Sequence, residues 1–435
     1  MSGERYGRAL GVAEVTAGVA AGVAVEVFAA LIGLLSAAVV LWRPAWAFGT
    51  LVAASIWVEV VHAGTASHWQ YVPWLVPAFV VLVQAARAGP WRIRWEPLVA
   101  WSAAYGVWVV LVAVVHHGTG DLYYAAGVPV VLVTALVALP RVHAQVGGRP
   151  WHQLLMVLAG ATGLLSLAAG VAALGFHQGF PVPVGSHTLL AWQWPFANKN
   201  TLGFLTAFGV PAAAILLVER EEPRWLWWVA GILSVMGLAL SYSRTGWIAA
   251  AVGVLVVAGV VYGRRGVLWA VAGVVVALGL VTAKTGVHRL INLFKHGLSG
   301  RTLLWRAALR VARSHWLAGV GPGQSPTAMA PYVPPAFVGL TPSNGPLETL
   351  VELGLVGLLL WAAVVAAAIV AAWQRATSVR HFGLWLALLV AGLVEQLAES
   401  SFLGGISFED YLFLAVLAVV VSWRGQDRRT GKEAA

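Results

Sequence analysis

The sequence predicts an all-α integral membrane protein of about 12 (11–13) transmembrane helices, with one large extracytoplasmic loop containing short amphipathic helices. Three observations predict it. Hydrophobic residues make up 60% of the 435-residue chain and charged residues only 10%, against about 25% charged in a soluble protein, so the chain cannot clothe a water-facing surface. Apolar stretches of spanning length recur from end to end. Forty-eight glycines and 23 tryptophans suit membrane helices and their interfaces. The absence of cysteine excludes disulfides, thiolate nucleophiles and Cys-ligated metals. A net charge of +10 suits anionic lipid headgroups or an anionic substrate; the lipid bilayer is the expected surrounding, and no nucleic acid is expected as a partner.

In chain order, Arg5 and Arg8 precede an apolar stretch from Val12 to Trp42. That stretch exceeds a signal-peptide core and shows no cleavage site, so it reads as a retained helix. Candidate spans follow the apolar runs at 17–41, 46–63, 71–86, 98–116, 122–139, 153–175, 200–218, 225–241, 247–262, 267–284, 347–373, 382–397 and 406–423. Pro73 and Pro77 predict a kinked or incomplete third segment. The organisation is N-terminal helices over 1–150, further helices over 151–284, a basic loop over 285–345, and C-terminal helices with a tail over 346–435. One set of alternating connections is basic: Arg87/Arg92/Arg94, Arg141/Arg149, Arg220/Arg224, Arg264/Arg265, Arg375/Arg380 and the tail Arg424/Arg428/Arg429/Lys432. The positive-inside bias places this set, and the C-terminus, in the cytoplasm. It places 177–199, 242–246 and 285–345 outside. Ten spans before the loop would then put Arg5 and Arg8 outside as well, so either the 12–42 stretch is broken or, the reading preferred here, one early segment is non-spanning or re-entrant.

The 285–345 loop contains Arg289, Lys295, Arg301, Arg306, Arg310 and Arg313, and neither Asp nor Glu. Long loops escape the orientation bias, but the charge asks for a partner. "SGRTLLWRAALRVARSHW" reads as a helix capped by Ser299 or Thr302. Thr302, Arg306, Arg310 and Arg313 form one stripe, with Leu304, Ala308 and Val311 opposite. Such a helix either rests on anionic headgroups or grips phosphate oxygens with its guanidinium forks. Arg301 lies off the stripe near the helix start, where free N–H groups favour an anion. Arg244 in "SYSRTG" is ringed by Ser241, Ser243 and Thr245; it either snorkels or forms a second arm of an anion site. "WPFANKNTLG" leads into a helix for which Asn200 is the expected cap. Asn198, Lys199 and Asn200 are candidate sugar- or donor-binding residues, as is Arg310. "TPSNGPLETLVELGLVG" sets Glu348 and Glu352 one turn apart where a membrane helix begins. They serve either as ion-pair partners of the loop arginines, as a proton acceptor or as sugar ligands. Glu395 and Glu399, another i, i+4 pair near the outer end of a span, either face one cavity as functional carboxylates or, the reading preferred here, pair structurally.

Four motifs in this order, "FANKNTLG", "SRTG", "GRTLLWRAAL…HWLAGVGPG" and "SNGPLETLVELGLVG", resemble the O-antigen ligase and O-antigen polymerase superfamily of membrane glycosyltransferases. The likeness covers about residues 195–360. It implies a multi-pass protein of the cytoplasmic membrane with its active site on the extracytoplasmic face. It implies metal-independent, inverting transfer of a glycan from undecaprenyl diphosphate to a glycan, lipid or protein acceptor, with no cofactor. Arg244 and Arg301 match the family arginines that hold the diphosphate, with Arg306 a close third. The family carries a histidine, its favoured base, just before Asn344; this chain has Ser343. A serine is no base near neutral pH, so within the segment Ser343, Asn344 and Glu348 the proton acceptor falls to Glu348, or to Glu352 one turn on. Two other readings stay open. One is a polytopic transporter or flippase of an anionic or sugar substrate, which predicts inverted repeats that the sequence does not show. The other is a degenerate member that binds the lipid carrier without catalysis.

Overall fold

The computed structural model describes residues 26–62, 71–89, 95–116, 119–147, 149–184, 187–196, 198–285, 300–376, 378–399 and 407–422. The expectations on Arg5, Arg8, Val12, Arg92, Arg94, Arg289, Lys295, Ser299 and the basic tail lie outside these residues. Each apolar run named above holds a helix: α1 (Glu26–Trp42), α2 (Ala47–His62), α3 (Val72–Arg87), α4 (Pro97–His116), α5 (Thr119–Val133), α6 (Leu139–Val146), α7 (Pro150–Gly175), α8 (Lys199–Val218), α9 (Arg224–Leu240) and α10 (Arg244–Thr285). A π turn, Thr134–Ala138, joins α5 to α6. Then come α11 (Arg301–Ser314), α12 (Ser325–Met329), α13 (Gly345–Arg375), α14 (Val379–Gln396) and α15 (Phe408–Ser422). Among the described residues seven helical segments are long and apolar enough to cross a membrane. Helix α10 is broken at Gly263, which has non-helical backbone angles, and the chain turns back there: a side chain at Gly266 would strike the carbonyl of Ala258. The two runs expected at 247–262 and 267–284 are its two limbs.

Burial follows the apolar pattern. On α7, Leu154, Leu155 and Leu158 are buried, while Leu164, Leu167, Val171 and Leu174 are exposed. An exposed apolar stripe of that length suits hydrocarbon rather than water. Helix α15 is buried at every position from Tyr411 to Val420, as expected for a helix apolar all round. It packs against α2, α6, α7, α13 and α14, and the Trp385 indole donates to the Val416 carbonyl at 2.8 Å.

The expected loop at 177–199 contains a two-stranded antiparallel ribbon, β1 (Phe180–Val184) and β2 (His187–Ala191), which hydropathy did not disclose. The Trp192 N–H donates to the Leu240 carbonyl at 2.9 Å and so fastens the ribbon to the end of α9. Arg141, Arg149, Arg375 and Arg380 gather at the opposite end of the bundle. Arg375 pairs with Glu96, Arg149 with Glu221 at 3.6 Å, and Arg380 donates to the Val218 carbonyl at 3.3 Å.

The segment after α11 is locked into α13. Gly354 has φ 68°, and the helix breaks there. The Val320 and Gly321 N–H groups donate to the Val351 and Glu352 carbonyls at 2.9 and 3.0 Å, and the Leu355 N–H donates to the Trp316 carbonyl at 2.7 Å. The Trp108 indole takes the Leu353 carbonyl at 2.9 Å. The break therefore leaves these backbone groups paired. A side chain at Gly354 would stand 2.2 Å from the Leu317 oxygen, in a backbone conformation that L residues avoid.

Candidate functional site

The four motifs meet at the end of the bundle that carries 300–344. Helix α8 begins at Lys199, and Asn198, not Asn200, is its cap: the Asn198 side-chain oxygen accepts from the Asn200 N–H at 2.9 Å. Asn198 suits the role because its backbone is extended and its amide reaches the second helical N–H. The Lys199 ammonium donates to the Tyr242 carbonyl at 3.1 Å and to Asn200 Oδ1 at 3.4 Å. Tyr242 lies in the turn between α9 and α10. Ser241 and Ser243 do not surround Arg244 with free hydroxyls, as the sequence suggested. They are buried and build that turn: Ser241 Oγ accepts from the Ser243 N–H at 3.2 Å and donates to the Leu238 carbonyl at 2.9 Å. The starts of α8 and α10 touch through backbone. A Cβ at Gly246 would lie 2.7 Å from the Gly203 oxygen.

Arg244 is the first residue of α10 and Arg301 the first of α11. Gly300, in the left-handed region, precedes Arg301, and no side chain caps that helix; Thr302 is exposed inside it. Arg301 reaches Thr245 Oγ1 at 3.4 Å and forms an ion pair with Glu399 at 2.6 Å. The charges of Arg244, Arg301 and Glu399 all act on Lys199, and Arg301 acts on Arg244. Glu399 follows the last turn of α14. Burial pushes its carboxyl up to about 7; Arg301 opposes the rise, Glu409 adds to it, and Lys199 opposes it. One turn earlier, Glu395 is buried, and neither of its carboxyl oxygens is hydrogen-bonded among the described residues. Glu409 acts on Glu395 and also on Glu59, which is hydrogen-bonded to the Thr201 side chain.

Asn344 caps α13, accepting from the Leu347 N–H at 2.9 Å, and its Nδ2 donates to the Leu397 carbonyl at 2.8 Å. It thus ties the SNGP segment to the turn that bears Glu399. Ser343 has φ 50°, an uncommon conformation for a residue other than glycine. Glu348 is buried one turn into α13, where its charge acts on the phenols of Tyr105 and Tyr124 together with Glu352 and Asp410. Glu352 is engaged by backbone: the Gly323 and Ser325 N–H groups donate to its two oxygens at 2.8 and 3.3 Å. It holds the segment before α12 in place.

The α11 face of Leu304, Ala308 and Val311 is buried as expected, in a cluster with Met329 and Val351. Arg306, Arg310 and Arg313 are exposed on the other side and make no ion pair among the described residues. Lys199, Arg244 and Arg301 come together; Arg306 and Arg310 stand apart from them on the exposed stripe. Glu399 is the member that the sequence did not assign to this site. The available signal was its place at a span end facing a loop of unpaired arginines. Among the described residues no group of three or more His, Asp or Glu has the geometry of a metal site.

Each of the three cations stands at the first position of a helix. The N-terminal partial charge of a helix is positive and disfavours a cation by a few tenths of a kcal/mol to about 1 kcal/mol. Placing a lysine and two arginines at three converging helix starts breaks that local rule three times. An anion bound among the three side chains would restore it, its charge offsetting theirs and the positive ends of the helices.

In comparison with known proteins, the family model described as O-Antigen ligase matches residues 229–362. That stretch includes Arg244, α11 and the SNGPLE segment, and stops short of Glu399. No curated protein matches the chain.

Proposed function

We propose, on the likeness of residues 229–362 to the O-Antigen ligase family model, that the chain transfers a glycan from undecaprenyl diphosphate to a hydroxyl of a glycan, lipid or protein acceptor. The reaction proceeds at the outer face of the cytoplasmic membrane, inverts the anomeric centre and requires no metal ion. The bundle has about 12 spans, with the C-terminus in the cytoplasm.

The observation that carries this reading is the meeting of Lys199, Arg244 and Arg301 at three helix starts. The leaving group is a diphosphate whose charge grows as the glycosidic bond breaks. Fixed guanidinium and ammonium groups, already paired and partly buried, stabilise that charge without reorganising. Arg244 and Arg301 grip the phosphate oxygens. Lys199, steered by the Tyr242 carbonyl, adds a third charge. Asn198 and Asn200 are spent on the start of α8, so their part in donor binding is to fix Lys199. Arg306 and Arg310 line the exposed approach to the site, where they draw the anionic lipid carrier in.

The test is transfer by the reconstituted full-length protein, with a donor extracted from the membranes of producing cells. Arg301→Ala and Arg244→Ala lower the rate at least 100-fold, the scale of losing one preorganised charge-stabilising donor, and EDTA leaves it unchanged. Rates within threefold of wild type in both variants overturn the clamp. Ser343 favours one second reading, a carrier-binding protein without turnover. Tight binding of undecaprenyl diphosphate with no transfer to any acceptor fraction would select it.

A further inference from the structure

Resting on that reading, we propose that Glu399 takes the proton from the acceptor hydroxyl, and that between turnovers it occupies Arg301 in place of the diphosphate. Three observations point to this residue. It pairs with a cation of the clamp, Arg301, at 2.6 Å. A carboxylate and a phosphate present similar oxygens to a guanidinium fork, so an arriving diphosphate displaces Glu399, and the released side chain turns to the acceptor hydroxyl on the face of the sugar opposite the leaving diphosphate. Second, the segment in which Ser343 stands where the resemblance predicts a histidine is tied to the Glu399 turn by the Asn344–Leu397 hydrogen bond. The base is absent from the SNGP turn and present on the turn next to it. Third, three neighbouring acids are occupied or enclosed. Glu352 accepts two backbone N–H groups, Glu348 is buried towards Tyr105 and Tyr124, and Glu395 is 1% exposed.

The step balances. The acceptor O–H breaks as its oxygen bonds to the anomeric carbon. The bond from that carbon to the diphosphate oxygen breaks, and its electron pair leaves on the diphosphate. The proton goes to the Glu399 carboxylate. The groups facing it are Arg301 from α11, Lys199 from α8, Glu395 from α14 and Glu409 from α15. With its carboxyl near 7, Glu399 is ionised on the alkaline side of neutrality and matched to a base working near pH 7. Transfer of Arg301 to the diphosphate removes the charge that opposes protonation, so the proton affinity rises as the reaction proceeds.

The experiment uses the full-length protein in nanodiscs, undecaprenyl diphosphate as a binding probe, and the extracted donor for turnover. Glu399→Gln binds undecaprenyl diphosphate at least as tightly as wild type, because the competing carboxylate is gone, whereas Arg301→Ala weakens binding at least tenfold. Turnover in Glu399→Gln falls 100-fold or more with KM within threefold. The rising limb of the wild-type kcat/KM profile near pH 7 is missing from the residual rate. Glu399→Asp keeps that limb at reduced rate, which separates loss of the base from loss of the fold. Wild-type rate and pH profile in Glu399→Gln overturn the inference, as does a binding loss equal to that of Arg301→Ala, which would make Glu399 a structural counter-ion. Failure of wild type and Arg301→Ala alike to bind the probe overturns the donor reading instead.

Discussion

Asn344 illustrates how much one side chain does here and how little of it a sequence displays. The turn formers around it announced a helix start, and its oxygen does cap α13. Its other hydrogen bond, to the Leu397 carbonyl, joins positions 53 residues apart and has no local signature. The two roles separate by substitution. Asn344→Asp keeps the cap acceptor and loses the donor, so melting stays near wild type while transfer falls at least tenfold. Asn344→Ala loses both, and stability drops further by about 1 kcal/mol, the usual worth of a cap. Thermal melting beside transfer rates checks this; equal rates in wild type and Asn344→Asp would deny the tie any part in the reaction. Glu352 shows the converse, a side chain whose contacts its spacing did not announce. Its spacing from Glu348 offered it as a proton acceptor, yet it holds the Gly323 and Ser325 N–H groups. Glu352→Ala strands two donors, each worth about 1–3 kcal/mol when buried. It should lower the melting temperature well beyond what Glu399→Gln does.

At the scale of elements, hydropathy located every helix it proposed among the described residues, because a spanning run needs only length and apolarity. It missed the β1–β2 ribbon, whose strands are five residues each and include Pro181 and Pro183. Proline is tolerated there because a two-stranded ribbon consists of edges. It also missed the break at Gly354, since a glycine in an apolar run gives no hint that a second segment threads through it. Contacts between elements set the site. Gly246 lets α10 start against the Gly203 carbonyl, and a methyl there would sit 2.7 Å from that oxygen. Gly246→Ala therefore shifts the start of α10 and moves Arg244 off Lys199 and Arg301. Expected is a tenfold or greater loss of undecaprenyl diphosphate binding with the protein still folded; unchanged binding would show that the clamp tolerates the displacement. Gly354→Ala meets both the clash at the Leu317 oxygen and a left-handed backbone, and its expected signature is lost folded yield rather than a kinetic defect.

Across the whole molecule, the charge pattern and the helix directions agree. The starts of α8, α10 and α13 and the end of α14 share one end with Arg301, while Arg149, Arg375 and Arg380 share the other with Glu96 and Glu221. This arrangement was legible as alternating basic and base-poor connections, because orientation bias acts on short loops. The convergence of the cations was not legible, since it depends on backbone approaches between distant segments. Which end faces outward is testable because the chain has no cysteine, so any introduced thiol is unique. Ser314→Cys lies exposed at the end of α11, and Glu222→Cys lies at the opposite end, where the Glu222 side chain is 76% exposed. In intact cells a membrane-impermeant maleimide should modify the Ser314→Cys protein and leave the Glu222→Cys protein untouched until the membrane is permeabilised. Positive-inside bias demands this result for a bundle with its short basic turns in the cytoplasm, and a glycan donor displayed on the outer leaflet demands it for the clamp. The reverse pattern would turn Lys199, Arg244 and Arg301 towards the cytoplasm and remove the outer-face transfer reaction, whatever the geometry of the arginines.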